Sequence, residues 1–506
     1  MRRRVAVIGA GIGGLAAALD LARQGHDVTV LERAAAPGGK MRQVAVGTAR
    51  IDAGPTVFTM RWVFEELFAD AGALLADHIT LHPASVLARH AWGDAQLDLF
   101  ADVEQSTAAI GAFAGAAEAR GFAAFCAEAR RIYRTLEGPF IRSPRPNAVS
   151  LAMAAGFGEM WRIKPFETMW AALSQHFADP RLRQLFGRYA TYCGSSPYRA
   201  PATLMLVAHV EQDGVWLVEG GMHQVALALA KLAAAQGATI RYGAEVAEVL
   251  TGSGRASGVR LASGERVEAD AVVLNADPAA LAAGLFGRAA AGCVPATPVA
   301  DRSLSAVTWA MVAEADGFPL LHHTVFFSDD YAAEFQDLQA GRLPAKPTAY
   351  LCAQDRDSRG NRSGTGPERL LCLVNAPALG DVLDLSPQEI DRCADRTFGL
   401  LARSGLRLAT MDTPVVTTPR EFGAMFPGTG GALYGPAVHG AMASFRRPGS
   451  RTKLPGLFLA GGATHPGAGV PMAALSGRLA ASAVTVDLGS TATSRRTAMR
   501  GGMSTR

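Results

Sequence analysis

The sequence lacks the features that mark several large classes of protein. Its 506 residues carry a net charge of only +4 with both signs interspersed, so no dense basic surface for a nucleic-acid partner is expected. No apolar run reaches the length of about 18 residues that a membrane-spanning helix needs. The six cysteines form no CxxC pair, which argues against a zinc site or a disulfide framework and favours a cytoplasmic setting.

Apolar residues and glycine are abundant instead. The apolar fraction is 49% and the chain holds 55 glycines, which is ample material for two or more domains or for one domain with large insertions. The start of the chain, MRRRVAVIGAGIGGLAAALDLA, mimics a signal peptide. Glycines at fixed spacing interrupt its apolar run, however, and a helix and a second strand pattern follow. A strand, a glycine turn and a helix explain this segment better.

The first strand pattern leads into a nucleotide-binding fingerprint. Residues 5–8 are continuously apolar, as in a parallel strand buried on both faces, and GAGIGG follows. In the GxGxxG pattern Gly9 makes the tight turn, Gly11 lets the backbone approach a pyrophosphate, and Gly14 lets the helix pack on the strand. The next strand pattern ends at Glu32, which is expected to accept hydrogen bonds from a ribose 2′-hydroxyl and to repel the 2′-phosphate of NADP.

Two further segments distinguish FAD from NAD. The PGGKMR segment provides Gly38 and Gly39 for close backbone approach and Lys40 or Arg42 as a positive charge for a diphosphate. After another strand pattern, DAGPTV contains Thr56 and Val57. Together these segments resemble the extended fingerprint of the amine-oxidase and carotenoid-desaturase flavoproteins, which NAD enzymes usually lack. Bound FAD is therefore expected.

Later segments follow the order of the FAD domain in that superfamily. The resemblance implies that a backbone group at Val246 meets the adenine and that Asn275, at the end of a buried strand, approaches the cofactor. The GGALYG loop that contains Leu433 resembles the loop along the isoalloxazine ring. Gly462 lies in a glycine-rich turn, and near Met472 a helix begins whose N-terminus is expected to face the flavin edge where negative charge develops.

No catalytic residue can be named from the pattern. His465 is a candidate base, yet a histidine beside a proline in a turn is more often structural. No acid and base pair stands out elsewhere in the sequence.

The segment GLFLAGGATHPGAGVPMAALSGRLAA resembles the C-terminal signature of bacterial carotenoid and phytoene desaturases. With the N-terminal element, the resemblance covers nearly the whole chain. YATYCGSSP and the following APATLMLVAHVEQDGVWLVEGGM are similar to the 1-hydroxycarotenoid 3,4-desaturases, or methoxyneurosporene dehydrogenases, of purple phototrophs. The resemblance implies FAD-dependent removal of two hydrogens from the C3–C4 bond of an acyclic 1-hydroxy or 1-methoxy C40 carotenoid, with hydride passing to flavin N5. Oxygen or a membrane quinone is the expected electron acceptor, because no second nucleotide fingerprint follows.

The expected fold is α/β, a Rossmann-like FAD-binding domain of the amine-oxidase and carotenoid-desaturase type with an inserted α+β substrate domain. The expected boundaries are residues 1–75, 210–285 and 415–488 for the discontinuous FAD-binding domain, 76–209 and 286–414 for the substrate and membrane-facing domain, and 489–506 for a disordered tail.

A carotenoid is insoluble, so the protein is expected to be cytoplasmic and to associate peripherally with the inner or photosynthetic membrane. Residues 148–170 combine methionine, tryptophan and phenylalanine with two basic residues, as interfacial segments do, although a pair of core helices would have the same composition. Three other functions stay open: phytoene desaturation, carotenoid isomerisation with FAD, and a lipid escort without redox chemistry. The desaturase-like C-terminal loop favours an enzyme.

Overall fold

The computed structural model describes residues 2–144 and 146–500. The strands are β1 Arg4–Ile8, β2 Asp27–Leu31, β3 Gln43–Val46, β4 Ala49–Asp52, β5 Phe58–Thr59, β6 Leu81–Pro83, β7 Val86–Trp92, β8 Ala95–Phe100, β9 Val215–Val218, β10 Thr239–Arg241, β11 Val246–Gly252, β12 Arg255–Leu261, β13 Arg266–Glu268, β14 Ala271–Leu274, β15 Ser305–Asp316, β16 His323–Phe326, β17 Ala349–Ala353, β18 Glu368–Ala376, β19 Arg407–Thr410, β20 Val415–Thr417 and β21 Leu457–Leu459.

The α-helices are α1 Ile12–Arg23, α2 Arg61–Asp70, α3 Val103–Ala114, α4 Ala116–Leu136, α5 Ala148–Ala155, α6 Phe157–Arg162, α7 Met169–His176, α8 Pro180–Gly187, α9 Leu206–Gln212, α10 His223–Ala235, α11 Pro278–Ala282, α12 Arg288–Ala291, α13 Tyr331–Gln339, α14 Pro387–Arg403, α15 Pro419–Met425, α16 Ala443–Arg446 and α17 Val470–Arg500. Short 3₁₀ helices cover Leu75–Asp77, Arg188–Cys193, Ala202–Met205 and Val299–Asp301, and a π-helical turn covers Glu137–Ile141.

A five-stranded parallel sheet carries the nucleotide turn. Its strand order is β10-β2-β1-β14-β21, so the first strand of the chain lies at its centre. Val7 pairs with Val30 on one side and with Val273 on the other, and all three side chains are buried. The continuous apolar pattern of β1 follows from this position, because helices such as α1 and α17 cover the sheet.

A larger mixed sheet forms the second part of the fold. Its strand order is β19-β15-β18-β17-β16-β7-β8, with β20 also paired to β15. Helix α14 begins with a capping box in which Ser386 and Glu389 each bond the backbone of the other. The helix then buries Cys393, Leu400 and Leu401 against the sheet. The hairpin β3–β4 packs on the opposite side of the strands, through Ile51 among others.

A helical cluster lies beside the larger sheet. Helices α4, α7 and α8 meet around aromatic side chains, where the Phe186 ring is 4.7 Å from that of Phe125 and 4.8 Å from that of Phe177. Two smaller sheets have three strands each, in the orders β11-β12-β13 and β5-β9-β6. The fold is therefore the predicted α/β fold with a parallel nucleotide-binding sheet.

The two large sheets draw on interleaved parts of the chain. The parallel sheet uses strands between residues 4 and 31, between 239 and 274, and at 457–459, whereas the larger sheet uses strands between residues 86 and 100 and between 305 and 417. Strand β20 pairs with β15, so the boundary expected at residue 415 falls inside the larger sheet.

Helix α17 continues to Arg500, so residues 489–500 are helical where a disordered tail was expected. This stretch contains no proline, and its alanine, arginine and methionine residues favour a helix. Residues 501–506 lie outside the described residues. Among the described helices, none combines the length and apolar character that crossing a bilayer requires.

Candidate functional site

The glycine turn between β1 and α1 is packed so tightly that side chains are excluded. Gly9 has a φ of +95°, and its N–H donates to the Leu31 carbonyl at 2.8 Å. A Cβ at Gly14 would overlap the Gly9 carbonyl oxygen, and one at Gly13 would lie 2.8 Å from the Gly461 nitrogen. Gly14 therefore has the packing role predicted for it, and the N-terminal turn lies against the C-terminal glycine loop.

Asn275 lies behind this turn. Its side-chain amide is 3.5 Å from the Gly9 carbonyl oxygen, and a Cβ at Gly11 would come within 2.7 Å of its Nδ2. A Cβ at Gly461 would lie 2.9 Å from its Oδ1. Asn275 thus joins the glycine turns that follow β1 and β21, and its predicted contact with the cofactor stays a prediction.

Glu32 ends β2 and faces the same turn. Its Oε2 accepts the Ala10 N–H at 2.7 Å and its Oε1 accepts the Ala34 N–H at 2.8 Å. The residue is buried, yet each carboxylate oxygen keeps a lone pair for a further donor. The Glu32 carbonyl accepts the Ala244 N–H, which brings the start of β11, with Val246, to the same end of the sheet.

The second pair of glycines lies directly beside the first turn. Gly38 forms a parallel bridge with Gly11, and its N–H donates to the Ala10 carbonyl at 2.8 Å. Gly38 and Gly39 have φ values of +120° and +59°, which glycine adopts readily and other residues rarely do. The structure therefore brings Gly9, Gly11, Gly38 and Gly39 together, as the sequence predicted for a pyrophosphate cradle.

The Lys40 side chain contacts the loop that contains Leu433. Its Nζ donates to the Leu433 carbonyl at 2.5 Å and lies 5.2 Å from the centre of the Phe426 ring. Burial lowers the pKa of Lys40. In this structure the side chain ties the FAD fingerprint to the GGALYG loop, whereas the sequence had suggested a role in neutralising a diphosphate.

A cavity of about 380 Å³ adjoins these loops. Thr56, Val57, Tyr434 and Met472 line one part of it, and all four belong to segments predicted to lie at the flavin. The remainder is mostly apolar, with Leu136, Phe140, Ile141, Leu151, Ile163, Leu204, Val207 and Val210 among the lining residues.

Arg447 was not predicted and holds the C-terminal loop in place. Its Nη1 donates to the Gly462 carbonyl at 3.1 Å and its Nη2 donates to the Pro436 carbonyl at 2.8 Å. The side chain is buried and lines the cavity, and burial lowers its pKa. Nothing in the surrounding SFRRPGS sequence signals this role, because the partners are backbone carbonyls of two other loops, 15 and 11 residues away.

His465 has a structural environment. Its Nε2 lies 2.8 Å from the Ser143 carbonyl oxygen, and its ring packs edge-on against Phe140 with a centroid distance of 5.1 Å. Burial lowers the pKa of the imidazole. The ring is not among the groups that line the cavity, which favours the structural interpretation over that of a catalytic base.

A buried polar cluster on the larger sheet was also missed. The Tyr350 hydroxyl lies 2.7 Å from Thr56 Oγ1 and 2.7 Å from His323 Nδ1. His322 and Cys352 adjoin this cluster, and their nitrogen and sulfur ligand atoms lie within 4.8 Å of one another and of His323. Burial lowers the pKa of His323 well below its usual value, so its ring is neutral.

FAD fits the described residues. Helix α1 begins at the glycine cradle with no acidic residue in its first turn, so its N-terminal amides and dipole can face a diphosphate. Glu32 has acceptor capacity for a ribose, and the Thr56 and Met472 segments meet at the cavity. These residues are the ones that would hold the cofactor.

Known proteins with similar sequences and structures identify the family of this chain. Residues 12–485 match the model of the flavin containing amine oxidoreductases. The chain is 55% identical to hydroxyneurosporene desaturase of Rubrivivax gelatinosus over 99% of this chain and 97% of that protein. It is 47% identical to the protein of the same name from Cereibacter sphaeroides, over 96% and 98%. An oxidoreductase structure from Methanosarcina mazei shares the fold, with a TM-score of 0.60, 16% identity and coverage of 94% and 99%.

The family match and the near full-length relatives give the cofactor as FAD and the protein as an oxidoreductase. The chain belongs to the flavin containing amine oxidoreductase family and, within it, to the carotenoid desaturases.

Proposed function

We propose that the protein desaturates the C3–C4 bond of an acyclic C40 carotenoid that carries a 1-hydroxy or 1-methoxy group. The observation that best supports this function is the cavity, which extends from the FAD loops at Thr56 and Met472 along a wall of apolar side chains. An apolar wall suits a polyene and offers little to a polar amine substrate. The names of the relatives from Rubrivivax gelatinosus and Cereibacter sphaeroides support the same substrate class.

The chain contributes orientation and exclusion of water. When bound, the flavin supplies the hydride acceptor. Val57, Val470 and Met472 line the cavity beside the FAD loops and keep water from the reacting carbons. Because conjugation stabilises positive charge next to the polyene, positioning in a dry site does more for this reaction than a strong base would.

The second hydrogen leaves as a proton, and Tyr350 is placed to receive it. The hydroxyl lines the cavity and is hydrogen-bonded with His323, whose neutral ring has an acceptor nitrogen. An electron-deficient allylic substrate is strongly acidic, so a weak acceptor suffices. In the proposed route the Tyr350 oxygen accepts this proton while its own hydroxyl proton passes to Nδ1 of His323.

Anaerobic turnover tests this function. The FAD-loaded protein would be incubated with a 1-hydroxy C40 carotenoid in liposomes, with and without a quinone. We expect a product lighter by two hydrogens and absorbing at longer wavelength, in stoichiometric amount without quinone and in excess with it. Air in place of quinone tests oxygen as the acceptor.

Each other outcome contradicts the proposal in a distinct way. A product of unchanged mass would indicate an isomerase, and conversion of phytoene but not of the oxygenated carotenoid would indicate a phytoene desaturase. A purified protein that binds carotenoid but shows no flavin absorption at saturating FAD would indicate an escort.

We also propose peripheral membrane binding through residues 148–170. Val149, Met153, Trp161 and Phe166 are exposed by 66%, 68%, 73% and 74%, values that are high for large apolar side chains. Leu151 of the same segment lines the cavity. The exposed surface and the cavity therefore meet at one segment, where a carotenoid can pass from a bilayer into the protein.

The double variant Trp161→Gln/Phe166→Gln is expected to weaken binding to liposomes, measured by cosedimentation, by about 30-fold or more, because about 1 kcal/mol or more of apolar burial is lost at each of the two sites. The matched control is Val382→Gln/Met411→Gln, which removes two other exposed apolar side chains away from the cavity. Equal binding by both double variants and the unaltered protein would refute the membrane role of the segment.

A further inference from the structure

We propose that Arg188, Tyr331 and Tyr192 form a binding subsite for the oxygen atom at C1 of the carotenoid. This inference rests on the proposed desaturase function and adds the residues that select an oxygenated substrate. All three side chains line the cavity, whose other walls are largely apolar. A pure hydrocarbon substrate could not form hydrogen bonds with the charged and hydroxyl groups there.

Arg188 brings a positive charge to the cavity without a direct ion pair. Within residues 2–144 and 146–500, no carboxylate lies within 4.0 Å of its guanidinium, and its Nη1 donates to the Tyr192 hydroxyl at 3.0 Å. The rings of Tyr192 and Tyr350 lie 5.2 and 5.3 Å from its central carbon. A guanidinium has five N–H donors, so donors remain for a ligand oxygen.

Tyr192 joins this charge to a buried acid through Tyr189. Its hydroxyl accepts from Arg188, and its ring packs edge-on against Tyr189, whose hydroxyl donates to Glu211 at 2.7 Å. Burial raises the pKa of Glu211. The network holds the Arg188 side chain in place, which spares a substrate part of the entropy cost of ordering it.

Tyr331 gives a second observation that is independent of Arg188. Only 6% of the residue is exposed, and its hydroxyl has no hydrogen-bond partner in the part of the chain that the structure describes. Its ring is fixed by Phe335, Trp170 and Tyr198, with centroid distances of 5.0, 6.0 and 6.4 Å. A buried hydroxyl without a partner is costly, so a ligand atom is the expected partner.

The position of the subsite suits the C3–C4 bond. Tyr350 contacts Arg188 on one side and, through its hydroxyl, Thr56 of an FAD segment on the other. The Tyr350 side chain therefore lies between the subsite and the cofactor loops. The C1 oxygen of the substrate is only a few covalent bonds from C3, so anchoring this oxygen places C3–C4, rather than a bond further along the polyene, beside the flavin.

The chemistry admits both a hydroxyl and an ether. A phenol or a guanidinium can donate to either oxygen, whereas an acyclic hydrocarbon would leave the Tyr331 hydroxyl without a partner and the remaining N–H donors of Arg188 unused. Sites built around a hydrogen bond discriminate strongly against analogues that lack the bonding group. The subsite thus accounts for selection of 1-oxygenated carotenoids over hydrocarbons of equal length.

The test compares kcat/KM for a 1-hydroxy C40 carotenoid and for the C40 hydrocarbon of equal conjugation, both in liposomes. We expect the unaltered protein to prefer the oxygenated substrate at least tenfold. Tyr331→Phe and Arg188→Met should each lower kcat/KM for the oxygenated substrate by about tenfold, mainly through KM, and leave the hydrocarbon nearly unchanged. The flavin spectrum of each variant reports retention of the fold.

Tyr198→Phe is the matched control, because this tyrosine packs against Tyr331 but does not line the cavity. It is expected to keep the preference. An equal loss on both substrates in the Tyr331 and Arg188 variants, or an unaltered protein that turns over both substrates without preference, overturns the subsite. An unaltered, flavin-loaded protein that desaturates neither substrate overturns the proposed function instead.

Discussion

Single residues shape the turns at which FAD is proposed to bind. Glu32 ends β2 and accepts two backbone N–H groups, so its carboxylate organises the turn before any ribose binds. Gly14 lets α1 approach β1, since any side chain there would overlap the Gly9 carbonyl oxygen. Lys40 donates a hydrogen bond to the carbonyl of Leu433, which is distant in the chain. The immediate contacts of each residue therefore determine its role.

Glu32→Ala is expected to weaken FAD binding by about 10- to 100-fold. Each charge-assisted hydrogen bond contributes about 1.5–3 kcal/mol, and the change also leaves the buried Ala10 N–H group and the Ala34 N–H group without their acceptor. Titration of the apoprotein with FAD measures the effect. Glu104→Ala, which removes an exposed carboxylate from α3, serves as the control, and an unchanged dissociation constant for Glu32→Ala would place the ribose elsewhere.

The first and last helices are the elements that set the geometry at the flavin end. A Cβ at Gly477 in α17 would overlap the Gly13 carbonyl oxygen in α1, so the two helices are in backbone contact. The N-terminus of α17 adjoins the cavity through Val470 and Met472. Its first-turn amides have no partners within the helix and carry partial positive charge. We expect this charge to favour the reduced flavin.

Gly469→Val is expected to displace the start of α17 and leave FAD bound through the segment from Gly9 to Glu32. Gly469 has a φ of +118°, which a β-branched residue adopts only with strain. The flavin potential should fall by about 10–40 mV, the equivalent of about 0.5–2 kcal/mol for two electrons, and desaturation should slow.

Redox titration of the flavin-replete variant measures this shift. Gly93→Val is the control, because Gly93 also has a positive φ but lies in the β7–β8 turn with no neighbouring atom within 4 Å of a Cβ. An unaltered potential in Gly469→Val combined with lost activity would assign the loop to substrate binding instead.

The two parts of the molecule are built from interleaved segments of the chain. Segments near the N-terminus, the middle and the C-terminus pair in one parallel sheet, and the larger sheet is built from the segments between them. The cavity lies where both parts contribute walls, with Thr56 and Met472 from the FAD segments and Tyr350 from β17. Both parts must therefore fold before the site exists. Several buried histidines belong to this shared interior.

The free energy of unfolding is expected to decrease as the pH falls from about 6.5 towards 4. Burial lowers the pKa of His90 to about 3 and that of His439 to about 4. Both values lie below the ordinary imidazole pKa of about 6.5 in an unfolded chain. The unfolded state therefore binds more protons in this window, and the stability present above pH 6.5 is lost on acidification.

Denaturant unfolding at several pH values, with saturating FAD, measures this slope. His90→Phe keeps an aromatic ring beside Trp92 and Phe327 but removes one titrating group. It should reduce the slope by up to about 1.4 kcal/mol per pH unit. Identical slopes in the variant and the unaltered protein would show that His90 does not contribute.

The sequence by itself determined the nucleotide-binding part and the family. The strand, glycine turn, helix and terminal Glu32 lie within a short stretch, so the backbone requirements of a pyrophosphate cradle are visible as local spacing. The C-terminal glycine signature is local in the same way. The structure brings Gly9, Gly11, Gly38 and Gly39 together, and their contact with a pyrophosphate stays a prediction.

The tertiary structure alone decided which polar groups share the cavity. Arg188 comes from a 3₁₀ helix that is far in the chain from Tyr331 and Tyr350, which lie on an α-helix and on the strand that follows it, and no spacing rule connects Arg188 with them. The partner of Lys40 is likewise 393 residues away. Such contacts depend on how the two sheets and the helical cluster pack on one another. Sequence periodicity reports which face of an element is buried, but it does not report which distant element covers that face.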